Sequence, residues 1–198
     1  MKRKPKYEKA VTLTLFAAII VVLQLISTYF RFGPFTITLA LTPIIIAGAL
    51  YGIRAGTAMG AVLSLTIFVI GMADGSISTL MSLNPVATIG VIFVKTTLAG
   101  FVASLVYHLI AKRSDLMASI TASVLCPVVN TGIYLLGMIL FFTDTVVGGA
   151  AAEGMNVVAY LFIGMVGLNF PVELIVNLAL STAVVQVVRI VGRKKRRA

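Results

Sequence analysis

The chain has 198 residues, of which 60% are hydrophobic and only 11% are charged. Soluble domains keep about a quarter of their residues charged, so this composition excludes an ordinary soluble protein. The net charge of +10 does not indicate a nucleic-acid-binding protein, because the basic residues concentrate in two tails, at residues 1–9 and 192–198. Basic tails that flank apolar spans are typical of integral membrane proteins.

Apolar runs of membrane-spanning length follow one another along the chain. At about 20 residues per span, they predict an all-α integral membrane protein, with one transmembrane domain over residues 1–198 built as a six-helix bundle. The expected helices cover residues 10–29, 35–51 with a kink at Pro43, the stretch from a turn at 52–56 to 72, 86–111, 117–142 and 168–191. Polar or Gly-rich residues predict a loop or re-entrant piece at 73–85, a loop at 143–156 and a short outer segment after it.

The charges in the connections predict the orientation of the bundle. Six spans place both termini on one side, which also holds Arg54, Lys112 and Arg113. The other side holds the acidic loop residues Asp74, Asp144 and Glu153. Because lysine and arginine are enriched on the cytoplasmic side of membrane proteins, we expect both termini in the cytoplasm.

Lys95 is the one formal charge inside the apolar run at 86–111. An ammonium at that depth costs from roughly 3 kcal/mol upward, so such residues face a bundle interior and mark a pathway or a ligand counter-ion. Further polar side chains are expected at similar depth on three helices, and with Lys95 they form the candidate site: Asn84, Thr88, Asn130, Tyr134, Asn169 and Glu173. Two interpretations stay open: a substrate site, or a structural cluster in which Lys95 and Glu173 pair.

Small residues repeat every four positions on the first helix, at Ala10, Thr14 and Ala18. Such spacing lets another helix approach closely, and this stripe is the candidate docking surface for a partner. No motif for catalysis, metal binding or nucleotide binding is present, so we expect neither an enzyme nor a metal or cofactor site. The single cysteine, Cys126, excludes a disulfide within the chain.

Several stretches, in this order, resemble the substrate-binding S components of energy-coupling factor (ECF) vitamin transporters. They are 37–43 (ITLALTP), 48–52 (GALYG), 84–88 (NPVAT) followed by Lys95 and Ala99-Gly100, 129–131 (VNT) and 169–173 (NFPVE). The resemblance implies a subunit of a prokaryotic cell membrane that binds a vitamin from outside and docks on a membrane T subunit. Two ATPase subunits would use the ATP. The family's usual A-x-x-x-A pattern on the first helix becomes Ala10-x-x-x-Thr14-x-x-x-Ala18 here.

The Asn-Pro…Lys…Ala-Gly arrangement is most similar to the pantothenate group of that family. Lys95 would then hold the carboxylate, Tyr134 would cover the apolar part, and three asparagines would bond the amide and hydroxyls: Asn84, Asn130 and Asn169. The alternatives are another vitamin (riboflavin, pyridoxine, a thiamine precursor or folate), a proton-coupled secondary carrier that uses Glu173, and a membrane scaffold whose polar cluster is structural.

Overall fold

A computed structural model describes residues 6–29, 31–32, 35–36, 38–167, 170–180 and 186. The fold is a helical bundle with one two-stranded antiparallel hairpin, in which β1 (Arg31–Phe32) pairs with β2 (Phe35–Thr36). The helices are α1 Lys6–Tyr29, α2 Leu41–Tyr51, α3 Ile53–Ala73, α4 Ser78–Leu83, α5 Pro85–Ile110, α6 Asp115–Phe141, α7 Thr143–Ala152, α8 Val157–Ala159, which continues as a π-helix over Tyr160–Val166, and α9 Phe170–Leu180.

Individual glycine and capping residues set the ends of these helices. Gly52 separates α2 from α3 at φ 94°, a conformation that favours glycine because it has no Cβ. Asn84 begins α5: its Oδ1 accepts the Ala87 N–H at 3.0 Å, and Pro85 occupies the first turn. Ser114 caps α6 in the same way, accepting the Met117 N–H at 3.3 Å. The residues at the ends of these helices thus determine where the helices begin and end.

The centre of the bundle is the packing of α5 against α3 and α6. Glycines let α3 and α5 approach closely, because a Cβ at Gly100 would lie 3.1 Å from the Gly56 carbonyl carbon. Ser64 of α3 also hydrogen-bonds Thr96 of α5. These contacts show that α3 and α5 are antiparallel. The connection from α3 to α5, which contains Asp74, therefore lies at one end of the bundle, and the connection from α5 to α6, which contains Lys112, lies at the other.

Large apolar side chains remain exposed on the outside of the long helices, among them Leu65 on α3, Leu98 on α5 and Leu140 on α6. In a membrane these side chains face lipid, and the helices satisfy their own backbone hydrogen bonds. Four described helices are long and apolar enough to cross a membrane, and a fifth span is reached if α7 and Val157–Val166, bent by 100°, count as one. An α-helical membrane protein is therefore confirmed, whereas six spans are not reached in the described residues.

Three details of the expected helices are wrong. Residues 35–36 belong to the hairpin, so the second helix begins at Leu41, not at 35. Pro43 then lies in the first turn of α2, where no helical carbonyl needs its missing N–H, so no kink is required. The Gly/Ala-rich segment expected as a loop at 143–156 is mostly helix α7, because Val146 and Ala150 bury one of its faces. The last helix, expected at 168–191, is described only over Phe170–Leu180.

Candidate functional site

A cavity lies inside the bundle, in the half nearer the Asp74 end. About 120 Å³ of its interior is open to water-sized molecules, less than the roughly 300–1,000 Å³ of typical small-molecule sites. Residues from α1, α3, α5, α6, α9, the π-helix and the segment before α2 line it: Gln24, Thr38, Ile67, Lys95, Asn130, Thr131, Tyr134, Met165, Val166, Phe170 and Glu173. The cavity thus has charged, polar and apolar walls.

Lys95 is the cation of this cavity. It lies ten residues into α5, about 15 Å from the helix start at 1.5 Å per residue. Its Nζ is 5.2 Å from the centre of the Tyr134 ring, a cation–π geometry. Tyr134 therefore positions the ammonium, which lies inside the protein rather than against lipid.

Glu173 lies in the same cavity and interacts electrostatically with Lys95. Within the described residues the two side chains form no ion pair with an N···O distance of 4.0 Å or less. The Glu173 carboxylate instead accepts a hydrogen bond from the Thr38 backbone N–H, while its Oε1 is buried without a hydrogen-bond partner in the described structure. The two charged side chains therefore share the cavity without a direct ion pair in the described structure.

Three buried acceptor oxygens in the cavity walls have no hydrogen-bond partner among the described residues: Gln24 Oε1, Asn130 Oδ1 and Glu173 Oε1. Their side chains are 4%, 5% and 4% exposed, respectively. A buried acceptor without a partner costs roughly 1–3 kcal/mol, so three around one cavity indicate that a ligand or water supplies the donors. Among the described residues, no three histidine, cysteine, aspartate or glutamate side chains lie close enough together to hold a metal ion.

The other predicted site residues lie elsewhere. Asn84 caps α5, and Thr88 Oγ1 donates to the Asn84 carbonyl at 2.8 Å. Asn84 is eleven residues before Lys95, about 16 Å along the helix, and lines an apolar groove between α5 and α6. Sharing one helical face with Lys95 is therefore not enough to bring these two residues to the cavity. Asn169 lies outside the described residues.

Sequence reasoning missed three polar residues of the cavity: Gln24, Thr38 and Thr131, which directly follows the predicted Asn130. Gln24 is the only amide side chain in the apolar run at 10–28, so its polarity inside a membrane-spanning run is the signal that could have identified it. Thr38 was placed inside the expected second helix, whereas it lies in the connection before α2, where its backbone N–H reaches Glu173. Asn177, one turn after Glu173, is structural: its side chain accepts from Thr42 at 2.9 Å and donates to the Glu173 carbonyl at 2.8 Å.

The small-residue stripe of α1 faces outward. Ala10, Thr14 and Ala18 are all exposed, and Thr14 Oγ1 donates to the Ala10 carbonyl at 3.1 Å, which satisfies its hydroxyl within the helix. Within an 18-residue apolar stretch of α1, only 17% is buried in the bundle, a smaller share than in the corresponding stretches of α3, α5 and α6. The stripe therefore presents small side chains to whatever lies beside α1 in the membrane.

The family model described as "ECF transporter, substrate-specific component" matches residues 8–193. No curated protein and no solved structure matches the chain. The matched stretch includes α1 from residue 8 onward and the whole of the other described helices that line the cavity. Members of this family are transporter subunits that bind a substrate and work with T and ATPase subunits; they are not enzymes. The chain belongs to the family of substrate-specific (S) components of ECF transporters.

Proposed function

We propose that this S component binds pantothenate in the cavity that contains Lys95. The observation that carries the proposal is the presence, in one cavity, of a single cation and several buried acceptor oxygens without partners. Pantothenate is complementary, because it has one carboxylate, two hydroxyls and an amide N–H. The carboxylate would pair with Lys95, and the hydroxyls or amide would donate to Asn130 and Glu173.

The walls of the cavity also favour a flexible ligand over a flat aromatic one. The apolar lining includes Ile67, Met165 and Val166, which suit the dimethyl-substituted carbon of pantothenate. Two aromatic rings, Tyr134 and Phe170, line the cavity, and the Tyr134 ring already contacts the Lys95 ammonium. Riboflavin and folate would need stacking surfaces that this lining supplies less well.

We further propose that the Asp74 end faces outside and that both termini lie in the cytoplasm. The exposed basic residues Arg54, Lys112 and Arg113 mark the opposite end of the bundle, as expected for a cytoplasmic face. The substrate would then enter from outside, close to the cavity. The T subunit would dock along α1, and the ATPase subunits would supply the energy.

Native mass spectrometry of the purified full-length protein, released from detergent after incubation with a mixture of water-soluble vitamins, tests the proposal. We expect one adduct with the mass of pantothenate, absent from a Lys95→Met variant and retained in Lys112→Met, whose lysine is exposed in the turn before α6. An adduct with the mass of riboflavin, folate, pyridoxine or a thiamine precursor would reassign the substrate.

A proton-coupled carrier is the second candidate, because a buried carboxylate within a membrane, such as Glu173, is a feature of proton relays. The family match favours the ATP-dependent system. Liposomes that contain this chain alone should therefore show no pantothenate uptake under a pH gradient. Uptake that Glu173→Gln abolishes would favour the carrier.

A further inference from the structure

Gln24 forms part of the cavity wall that α1 contributes. It is 4% exposed, and its Oε1 has no hydrogen-bond partner in the described structure. Burying an amide oxygen without a donor destabilises the fold, and apolar residues surround Gln24 in sequence on both sides. A hydrogen-bond donor on the ligand would explain why a polar residue occupies this position.

Hydrogen bonds from two backbone N–H groups to side chains connect this wall to Glu173. Ser27, three residues after Gln24, accepts the Leu39 N–H at 3.3 Å. The neighbouring Thr38 N–H donates to the Glu173 carboxylate. The segment 38–39 therefore ties α1 to α9 across the cavity, so that Gln24 and Glu173 form parts of one connected wall.

We propose that Gln24 is a substrate-contacting residue that determines specificity: its Oε1 accepts a hydrogen bond from one hydroxyl or the amide N–H of the ligand. This inference rests on the proposed function, since it requires a ligand that carries such donors beside its anionic group. Sites built to bond a particular donor discriminate strongly against analogues that lack it, because the acceptor is then left unpaired. Gln24 also places the ligand in contact with α1, the helix whose outer face carries Ala10, Thr14 and Ala18.

A double-mutant-type cycle, in which binding affinities are measured for protein variants against ligand analogues, tests this role. Wild type and Gln24→Leu are each titrated with pantothenate, with two analogues that each lack one hydroxyl, and with one that carries a methyl group on the amide nitrogen. We expect wild type to bind one of the analogues about 10-fold more weakly than pantothenate, whereas Gln24→Leu binds that analogue and pantothenate equally. Gln24→Glu, which keeps an acceptor oxygen, should retain the discrimination.

Gln186→Leu is the matched control, because Gln186 is the only other glutamine and is exposed. It should keep the wild-type pattern. If Gln24→Leu fails to purify, Gln24→Met, which preserves side-chain length, carries the same expectation. Equal weakening of all four ligands by Gln24→Leu, or no weakening, would overturn the inference while leaving pantothenate as the substrate. If wild type itself binds no pantothenate, the proposed substrate is wrong and this inference falls with it.

Discussion

Lys95 shows what a single residue can indicate in a membrane chain. Its charge inside an apolar run predicted an interior site, and Asn130, Tyr134 and Glu173 do share its cavity. Gln24 carried a similar signal on α1 but was missed, because an amide is less conspicuous than a charge. Asn84 and Thr88 were grouped with Lys95 by helical periodicity, which specifies a face but not whether side chains at different depths reach one cavity.

At the residue scale, Thr42 and Asn177 test how polar side chains hold α9 against α2. Asn177→Ala should lower the free energy of unfolding in detergent by about 1–2 kcal/mol, because it leaves the buried Thr42 hydroxyl without its acceptor. Thr42→Val alone should also destabilise the protein, and the double variant should lose less than the sum of the two. Strictly additive losses would show that the two side chains do not act together.

At the element scale, the long helices were predictable because their length, apolarity and end signals are local. The shorter elements were not. The pairing of β1 with β2 and the start of α2 depend on how the chain folds back onto α1, and α7 becomes a helix by burying Val146 and Ala150. The glycines of this segment favour a loop, and its helical structure depends on tertiary packing that the sequence alone does not show.

The crossing of α3 and α5 gives the element-scale prediction. In Gly100→Ala the new Cβ would lie 3.1 Å from the Gly56 carbonyl carbon and 3.0 Å from Ile44 Cγ2. Separating the helices should lower the free energy of unfolding by about 1–3 kcal/mol, which thermal unfolding in detergent measures. Gly90→Ala, on the same helix but with open space around the new Cβ, should be neutral or slightly stabilising. Equal effects of the two substitutions would contradict the close packing described here.

At the scale of the whole molecule, the cavity and the small-residue stripe of α1 occupy different parts of the bundle. The cavity opens between helices in the half near the Asp74 end, whereas the stripe follows the exposed face of α1. We therefore expect this S component to bind its substrate without its partners and to need them for transport. The sequence predicted an interior site around Lys95 and a stripe on α1, but which side chains line the cavity and how much of α1 is exposed depend on how all the helices pack.

The stripe gives the prediction at this scale. Ala18→Trp should prevent co-purification with the T and ATPase subunits and abolish ATP-driven uptake into liposomes, because the indole fills the space into which a partner helix would pack. Binding of pantothenate to the isolated variant should be unchanged. Ala58→Trp makes the same substitution at an exposed position of α3 and should leave assembly intact. Normal assembly of Ala18→Trp would show that the T subunit docks elsewhere.

The most direct test of the central claim is a calorimetric titration of pantothenate into purified wild type, Lys95→Met and Lys112→Met. Methionine keeps the length of Lys95 and removes its charge, so folding should not suffer, while the ligand carboxylate loses its counter-ion. We expect wild type and Lys112→Met to bind with equal affinity and Lys95→Met to bind about 100-fold more weakly. Wild-type affinity in Lys95→Met would contradict the assignment of Lys95 as the counter-ion of the substrate.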